Sequence, residues 1–198
     1  MIDWPDDYRK LQLTGLLQRL RDPDDPLWIW DTKFMSEDQI VSYERFDEQK
    51  IEIIPFARTG RGDYWAYLAD SLPESDIVLC YHDSYEAEYD TVSIQDFIFK
   101  RTVEFASVAD LSDNLEDSGW TPDTAKQDVS RICSSFAAFL SLEMLAELRS
   151  IANTVSLHIT PFGTTDFCTT LISESRAEEL IEKFSPMKRD DPVFEWRG

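Results

Sequence analysis

The chain of 198 residues has few of the residues that cross-link a fold or break its regular structure. It contains six Gly and three Cys, and the cysteines lie far apart within apolar stretches, at Cys80, Cys133 and Cys168. An odd number of widely spaced cysteines does not form a disulfide framework, so we expect buried, reduced thiols. Because glycine is scarce, two glycines close together indicate a local backbone requirement.

Basic residues are also scarce. The chain has 19 Lys and Arg against 39 Asp and Glu, which gives a net charge of −20. Such a field repels nucleic acid and anionic membrane surfaces, so neither is expected as a partner. It attracts a basic protein, although strong acidity is also a common route to solubility. Charge alone leaves both interpretations open.

Long hydrophobic runs are missing as well. The start, MIDWPDDYRK, has no basic segment followed by an apolar one, and no stretch approaches 18 apolar residues. We therefore expect neither a simple export signal nor a membrane span, and predict a cytoplasmic protein. The content of 42% hydrophobic and 13% aromatic residues is typical of a packed globular protein.

The residues that are present predict helices on either side of a strand-rich middle. Helical spacing of apolar residues covers 6–21, and Ser36 is suited to cap a short helix that follows a buried strand at 27–31. Ser93 is suited to cap a helix over 93–110. The strands predicted between these helices are 51–57, 63–70, 76–82 and 87–92, with Pro55 indicating an edge or a bulge. This order predicts an α+β fold with a mixed, mainly antiparallel sheet flanked by helices.

The second half of the chain predicts an α/β extension. The acidic, turn-rich segment 107–120 is expected to link a domain at 1–106 to this extension at 121–198, which packs on the first part. Thr121 is suited to cap a helix that either continues to about Asn153 or breaks near Ser141.

Three further elements are predicted in the extension. Residues 154–172 form a hairpin around Pro161-Phe162-Gly163, and residues 173–184 form a helix capped by Ser173 or Ser175. Residues 193–196 are expected to add an edge strand.

The closest pair of glycines lies in IPFARTGRGDYWAYLAD, residues 54–70. Arg61-Gly62-Asp63 matches an extracellular adhesion tripeptide, but so short a match is common by chance and the cysteines indicate a reducing compartment. Gly60-x-Gly62 resembles part of a phosphate loop, but a strand follows it where a helix is required. We therefore predict a structural hairpin turn in which Gly60 and Gly62 supply positive backbone angles and Asp63 bonds backbone amides of the hairpin.

The same region resembles a known family, the SUKH superfamily, which contains fungal regulators of cell-wall assembly and glucan synthesis and many bacterial proteins. The family pattern is an apolar strand with Pro-Phe-Ala, a glycine turn ending in Asp, an aromatic strand, an apolar strand reaching a His-Asp pair, and a Ser-x-x-x-Phe helix. In this chain the matching residues are Ile54, Pro55, Phe56, Ala57, Gly60, Gly62, Asp63, Asp70, Tyr81, His82, Asp83, Ser93, Phe97 and Ile98. The resemblance covers residues 51–106 and, more loosely, 4–46, while DPDDP stands where the family often has Asn-Gly-Gly.

The resemblance implies a mixed α/β domain without enzyme chemistry. Bacterial members are similar to immunity proteins, which bind and neutralise a cognate polymorphic toxin domain, frequently a nuclease. Since nuclease domains carry basic surfaces, an acidic protein is suited to bind one and block its site. The alternative implied by the fungal members is an intracellular regulatory or scaffold module with a protein partner.

The segment HDSYEAEYD, residues 82–90, contains no Lys or Arg and is the strongest candidate for a partner-binding surface. In an extended strand Glu86, Glu88 and Asp90 project from one face, and nearby tyrosines supply the aromatic contacts typical of binding hot spots. The predicted partner-binding residues are Asp83, Tyr85, Glu86, Glu88, Tyr89 and Asp90. The alternative is a solvated sheet edge that discourages aggregation.

Enzymatic sites are not supported by the sequence. Its only histidines are His82 and His158, and it has no Gly-x-Ser-x-Gly elbow. Cys80-x-His82 with Asp83 resembles the start of a metal site, yet no second ligand pair follows. Nothing selects one carboxylate pair among 39 acidic residues. We therefore predict no catalytic residue, no metal and no cofactor.

Overall fold

A computed structural model describes residues 2–44, 49–111, 120–162, 166–187 and 191–197. It has an α+β fold, which confirms the predicted class. The chain divides into two compact units, Met1–Phe97 together with Pro186–Gly198, and Ile98–Ser185. These bounds differ from the predicted 1–106 and 121–198 because the last residues of the chain return to the first unit.

The first helical segment is broken by a glycine. Helix α1 covers Asp6–Leu13 and helix α2 covers Leu16–Arg21, whereas the periodicity predicts a single helix over 6–21. Gly15 between them has a φ of 74°, a left-handed conformation that ends one helix and begins the next. The prediction of one continuous helix is wrong because periodicity does not register this single backbone reversal.

The next segment contains a strand, but not at 27–31 as predicted. Strand β1 is Lys33–Phe34, and 27–31 forms only an isolated bridge from Ile29 to Thr32. Asp31 has a φ of 47°, which turns the chain there and prevents a continuous strand. Helix α3, Glu37–Val41, then begins at the predicted cap, where Ser36 and Gln39 form a reciprocal capping box.

Four strands and a long helix follow close to their predicted positions. They are β2 (Ile53–Arg58), β3 (Tyr64–Leu68), β4 (Ile77–Cys80), β5 (Glu86–Thr91) and α4 (Ile94–Val108). A single 3-10 turn, Ala69–Ser71, lies between β3 and β4. The register shift in β2 between Pro55 and Ala57 confirms the predicted bulge at Pro55. The Ser93 hydroxyl accepts a hydrogen bond from the Asp96 amide at 3.0 Å, as expected of an N-cap.

The second unit contains the rest of α4 and most of the predicted extension. Its further elements are α5 (Pro122–Ser135), α6 (Leu142–Ala152), β6 (His158–Phe162), β7 (Asp166–Thr170) and α7 (Glu174–Phe184). Ser141 caps α6, so the predicted helix from Thr121 breaks near Ser141. Ser173, and not Ser175, caps α7. Strands β6 and β7 form the predicted antiparallel hairpin, whose Gly163 lies outside the described residues.

The predicted linker at 107–120 is described only in part, since residues 112–119 lie outside the described residues. Its first residues do not form an exposed connection. Ser107 and Val108 end α4, Ala109 and Leu111 are buried, and the Leu111 amide donates to the Thr169 carbonyl at 2.8 Å.

The final strand, β8, covers Val193–Glu195 and joins the sheet of the first unit at its edge, as predicted. Within the described residues this sheet has six strands in the order β1-β2-β3-β4-β5-β8, and every neighbouring pair is antiparallel. Strand β5 is therefore an inner strand, paired with β8 along Glu86–Glu88. Sequence reasoning treated β5 as a candidate edge because its partner lies about a hundred residues further along the chain.

Both faces of the sheet are packed. On one face Phe56, Trp65 and Tyr67 meet Tyr8 of α1 and Phe97 of α4, with the rings of Trp65 and Phe97 5.1 Å apart. The other face buries smaller side chains under a tryptophan from the C-terminal segment: Ile53, Ala66, Val78, Cys80, Ala87 and Trp196. Along the described chain, no helix combines the length and the apolar character needed to cross a bilayer.

Candidate functional site

Two connections meet at one end of the sheet in the first unit. The turn 59–63 joins β2 to β3, and the turn 81–85 joins β4 to β5. Because β3 and β4 are antiparallel neighbours, the first turn leads into β3 at the same end at which the second turn leaves β4. This end holds Asp63, His82 and most of the predicted partner-binding residues.

The two glycines of the turn 59–63 are needed for different reasons. Gly62 has a φ of 102°, which confirms the predicted positive backbone angle at that position. Gly60 does not have a positive φ, so that part of the prediction is wrong. Its amide instead donates to Asp31 Oδ1 at 2.7 Å, and a Cβ on Gly60 would lie 3.2 Å from the same oxygen. Gly60 is suited to this position because the Asp31 carboxylate approaches the backbone closely.

Asp63 connects the two turns. Its side chain is buried, with the residue only 7% exposed, and its Oδ1 accepts hydrogen bonds from the His82 amide at 3.0 Å and from His82 Nδ1 at 2.7 Å. Thr59 Oγ1 donates to Oδ2 at 3.1 Å. The amide that Asp63 accepts from therefore belongs to the neighbouring turn, and not to its own hairpin as predicted.

The electrostatics of Asp63 favour its ionised form. Burial by itself raises the pKa of this carboxyl, but the hydrogen bonds from His82 and Thr59 outweigh it, and the net pKa is lowered. An ionised carboxylate can only accept hydrogen bonds, so His82 Nδ1 is the donor. The contact is thus a charge-assisted connection between two turns that are 19 residues apart in sequence.

Arg197 holds the second turn from its other side. Its Nη2 donates to the carbonyl oxygens of His82 at 2.8 Å and Ser84 at 2.6 Å, and its Nε donates to Ser84 at 3.2 Å. The guanidinium also lies 5.7 Å from the centre of the Tyr85 ring and 4.9 Å from that of Trp196. Sequence reasoning missed Arg197, because only the return of the C-terminal segment to the sheet places it here.

The predicted partner-binding residues fall into two groups. Asp83, Tyr85 and Glu86 are exposed, with Tyr85 51% exposed although its ring lies beside Arg197. Glu88 and Tyr89 are half-buried. Tyr89 packs on Phe194 of β8 with ring centres 4.9 Å apart. Glu88 forms a hydrogen bond with the Tyr81 hydroxyl, and burial together with this bond raises the pKa of Tyr81 to about 12. We define the Tyr85 surface as Asp83, Tyr85, Glu86 and Glu88.

Asp90 does not belong to this surface, since it is only 4% exposed. The register explains its position: Ile77 pairs with Thr91 and Val78 pairs with Tyr89, so Asp90 is the extra residue of a β-bulge. The bulge interrupts the strict alternation that would place Asp90 beside Glu86 and Glu88 on one open face. A carboxylate that was missed, Glu195 of β8, lies opposite Glu86 in the register and pairs with Lys50 at 2.9 Å.

A metal site is the other chemistry that this end of the sheet suggests. Potential ligand atoms of Asp63, His82 and Asp83 lie within 4.8 Å of one another. However, both carboxylate oxygens of Asp63 already accept hydrogen bonds, Oδ1 from His82 Nδ1 and Oδ2 from Thr59 Oγ1, so two of the three residues are engaged with each other. Cys80 is buried in the cluster that includes Trp196, and burial raises the pKa of its thiol. The donors therefore fit a structural clamp better than a cation.

Comparisons with protein-family models, with curated proteins and with solved structures found no match to the chain. The likeness to the SUKH superfamily accordingly stays a resemblance between motifs. What the chain does is argued below from its own residues.

Proposed function

We propose that the chain is a non-enzymatic, protein-binding protein of the immunity type, which neutralises a basic toxin domain through the Tyr85 surface. One observation carries the proposal: an exposed tyrosine lies between the exposed Asp83 and Glu86 in sequence, on a turn that Asp63 and Arg197 hold through hydrogen bonds. The whole chain carries a net charge of −20.

Each part of this surface has a role in association. The acidic field attracts a basic partner over distances of about a Debye length, which raises the rate of encounter. Tyr85 supplies a large contact area at a small cost in conformational entropy, as is typical of hot-spot residues. Asp83 and Glu86, its neighbours in sequence, are suited to pair with Lys and Arg side chains of a basic partner.

The rigidity of the turn also favours binding. A flexible loop must be ordered when it binds, and this costs about 0.5–1.5 kcal/mol for each immobilised side chain. Here the backbone of the turn already has its hydrogen bonds, to the Asp63 carboxylate through the His82 amide and to Arg197 through two carbonyl groups. The ordering is thus completed on folding, before the partner arrives.

The proposal is tested by reversing charge on the Tyr85 surface. Asp83→Lys combined with Glu86→Lys changes the net charge by four units at exposed positions, so the fold should be retained. The matched control is Asp70→Lys with Glu74→Lys, the same change at exposed positions in the connection between β3 and β4, at the other end of the sheet. The partner is the basic terminal domain of a toxin encoded beside this chain, measured by stopped-flow association at low and high salt.

We expect the Asp83/Glu86 variant to associate at least about tenfold more slowly at low salt, and to fail to protect a bacterial host that expresses the toxin domain. The association rate of the control variant should fall by less than half as much on a logarithmic scale, because its charges act on the partner only from a distance. Equal slowing in both variants would leave net charge as the only determinant and overturn the assignment of the surface. Absence of a one-to-one complex at either salt concentration would overturn the immunity function itself.

A further inference from the structure

The hairpin of the second unit has an open edge. Strands β6 and β7 pair with each other, and β7 has a further neighbour on its outer side. There the Thr169 carbonyl accepts from the Leu111 amide at 2.8 Å, and the Thr169 amide donates to Asp110 Oδ1 at 3.2 Å. In the described part of the chain, no strand pairs with the outer side of β6. We call this side of His158–Phe162 the β6 edge.

The register shows which backbone groups the β6 edge offers. Ile159 lies directly opposite Thr169, and two residues opposite each other in an antiparallel pair either exchange both backbone hydrogen bonds or point both groups away. Because the Thr169 amide and carbonyl point away from β6, the Ile159 amide and carbonyl point away from β7. Pro161, two positions further, faces the same way, so the donor that it lacks belongs to this edge while its carbonyl can still accept.

An open edge is normally protected, and this one carries little protection. Natural proteins place charged side chains on edge strands, because unpaired amides and carbonyls recruit another strand. Residues 150–165, which contain all of β6, include no Asp, Glu, Lys or Arg, and this is the longest such run in the sequence. The side chain of Ile159 is 70% exposed, and Val155 just before the strand is 94% exposed. Pro161 removes one donor but leaves the amide and carbonyl of Ile159 intact.

The absence of charge indicates what pairs with this edge. Two copies of a chain with a net charge of −20 repel each other over most of their surface, so a contact between them is favourable only where few carboxylates meet. The β6 edge meets this condition. A basic partner, by contrast, gains no attraction from a strand without carboxylates.

We propose that the β6 edge pairs with the β6 edge of a second copy, in an antiparallel, two-fold symmetric ladder centred on Ile159. Each Ile159 amide donates to the Ile159 carbonyl of the other copy, and the two exposed side chains meet as a β-branched cross-strand pair. Pro161 lies beside this central pair and does not interrupt it.

The size of the contact sets its strength. Five residues a side form a small interface, so the dimer is weak and is expected at protein concentrations on the order of 0.1–1 mM. None of these residues belongs to the Tyr85 surface, so the inference does not depend on the proposed function.

Sedimentation equilibrium of the full chain tests the association. Between about 20 µM and about 1 mM the average mass should rise towards twice that of one chain. The rise should be greater in about 500 mM salt than in about 50 mM salt, because salt screens the repulsion between two acidic chains. A basic partner at the Tyr85 surface has the opposite salt dependence, so the two proposals can fail separately. The mass of a single chain at the highest concentration in both salts would overturn the pairing.

Amide exchange locates the contact. In the single chain the Ile159 amide has no acceptor among the described residues and should exchange fast, whereas the amides of His158 and Thr160 face β7. Raising the concentration through the dimer range should slow exchange at Ile159 about threefold, by mass action, and leave its two neighbours nearly unchanged. A concentration-dependent mass without protection of Ile159 would place the dimer contact elsewhere and refute the assignment.

A charge substitution then assigns the dimer to Ile159. Ile159→Lys places two like charges opposite each other across the two-fold axis and should weaken self-association at least about tenfold, although it reduces the net negative charge of each copy. Leu142→Lys is the matched control: it makes the same exchange at an 83% exposed position, at the far end of α6 from the segment that leads to β6. The control should change the association less than about twofold. An equal loss in both variants would contradict the site.

Ile159→Pro keeps the test valid if the lysine variant does not fold. It removes the amide hydrogen that faces away from β7, so no hydrogen bond of the hairpin is lost. The variant should lose the dimer and keep the fold of the single chain. Dimerisation at the strength of the wild type would show that this edge is not used.

Discussion

The most direct test of the candidate site is Asp63→Asn, which keeps the size of the side chain and removes its charge. In the wild-type protein Asp63 Oδ1 accepts two hydrogen bonds from His82, and Oδ2 accepts one from the Thr59 hydroxyl. An asparagine can accept through one oxygen only. Its amide group would face Thr59 Oγ1, which already accepts from the amides of Arg61 and Asp63.

The magnitude follows from these contacts. Hydrogen bonds to a charged group contribute about 1.5–3 kcal/mol, against about 0.5–1.5 kcal/mol for neutral ones. Asp63→Asn replaces the two charge-assisted bonds from His82 by neutral ones and leaves the Thr59 hydroxyl without its acceptor. We therefore expect the free energy of unfolding to fall by about 2–3 kcal/mol at pH 7. Urea unfolding followed by circular dichroism measures this change.

The pH dependence of unfolding provides a separate check that the ionised form of Asp63 is the stabilising one. The pKa of Asp63 is lowered in the folded protein, so its stabilisation is complete above the unfolded value of about 3.9 and is lost as the pH falls towards the folded value. The difference between wild type and Asp63→Asn should be constant from pH 7 to pH 5 and shrink below about pH 4.

Asp70→Asn, at an exposed position, is the control and should change stability by less than about 0.5 kcal/mol. A loss below about 0.5 kcal/mol for Asp63→Asn, or a loss that does not shrink in acid, would refute the argument that the two turns are joined by an ionised carboxylate.

Two further predictions concern the same end of the sheet. Arg197→Met should remove three hydrogen bonds to the carbonyl groups of His82 and Ser84. We expect the free energy of unfolding to fall by about 1–2 kcal/mol and amide exchange in residues 82–86 to become faster. Unchanged exchange would contradict the role of Arg197 in holding this turn. Gly62→Ala should lower the free energy of unfolding in urea by about 1–2 kcal/mol, because an L residue is strained at a φ of 102°. The added Cβ itself has space, since the His82 ring lies 4.0 Å away. An unchanged stability would show that the turn has relaxed to another conformation.

Local features of the fold were accessible from the sequence. The caps at Ser36, Thr121 and Ser173 depend on a hydroxyl and an amide three residues away, so a short window contains both partners. The four central strands were predicted because alternation and turn residues are likewise local. Pro55 indicated a bulge for the same reason.

The two errors in predicting the fold arise from single residues with unusual backbone angles. At Gly15 and at Asp31 a single residue with positive φ reverses the chain inside an otherwise suitable pattern. A hydrophobic period averages over several residues and does not detect one such residue. As a result, one predicted helix became two, and the predicted strand at 27–31 was replaced by β1.

The candidate site was predictable only in part. The sequence alone indicated an acidic segment with exposed tyrosine near 82–90 and a structural turn at Gly62, and Tyr85, Asp83 and Glu86 are indeed exposed. The burial of Asp90 was not predictable, because it results from a bulge in the pairing of β5 with β4.

What the sequence determined by itself is therefore the α+β class, the caps, the central strands and the acidic character of the chain, since each depends on composition or on neighbouring residues. Tertiary structure alone decided that β8 covers β5 and that Arg197 and Asp63 hold the turn at 81–85. These contacts join residues 19 to more than a hundred positions apart. Their free energy arises only when the chain closes those loops, so no local pattern in the sequence records it.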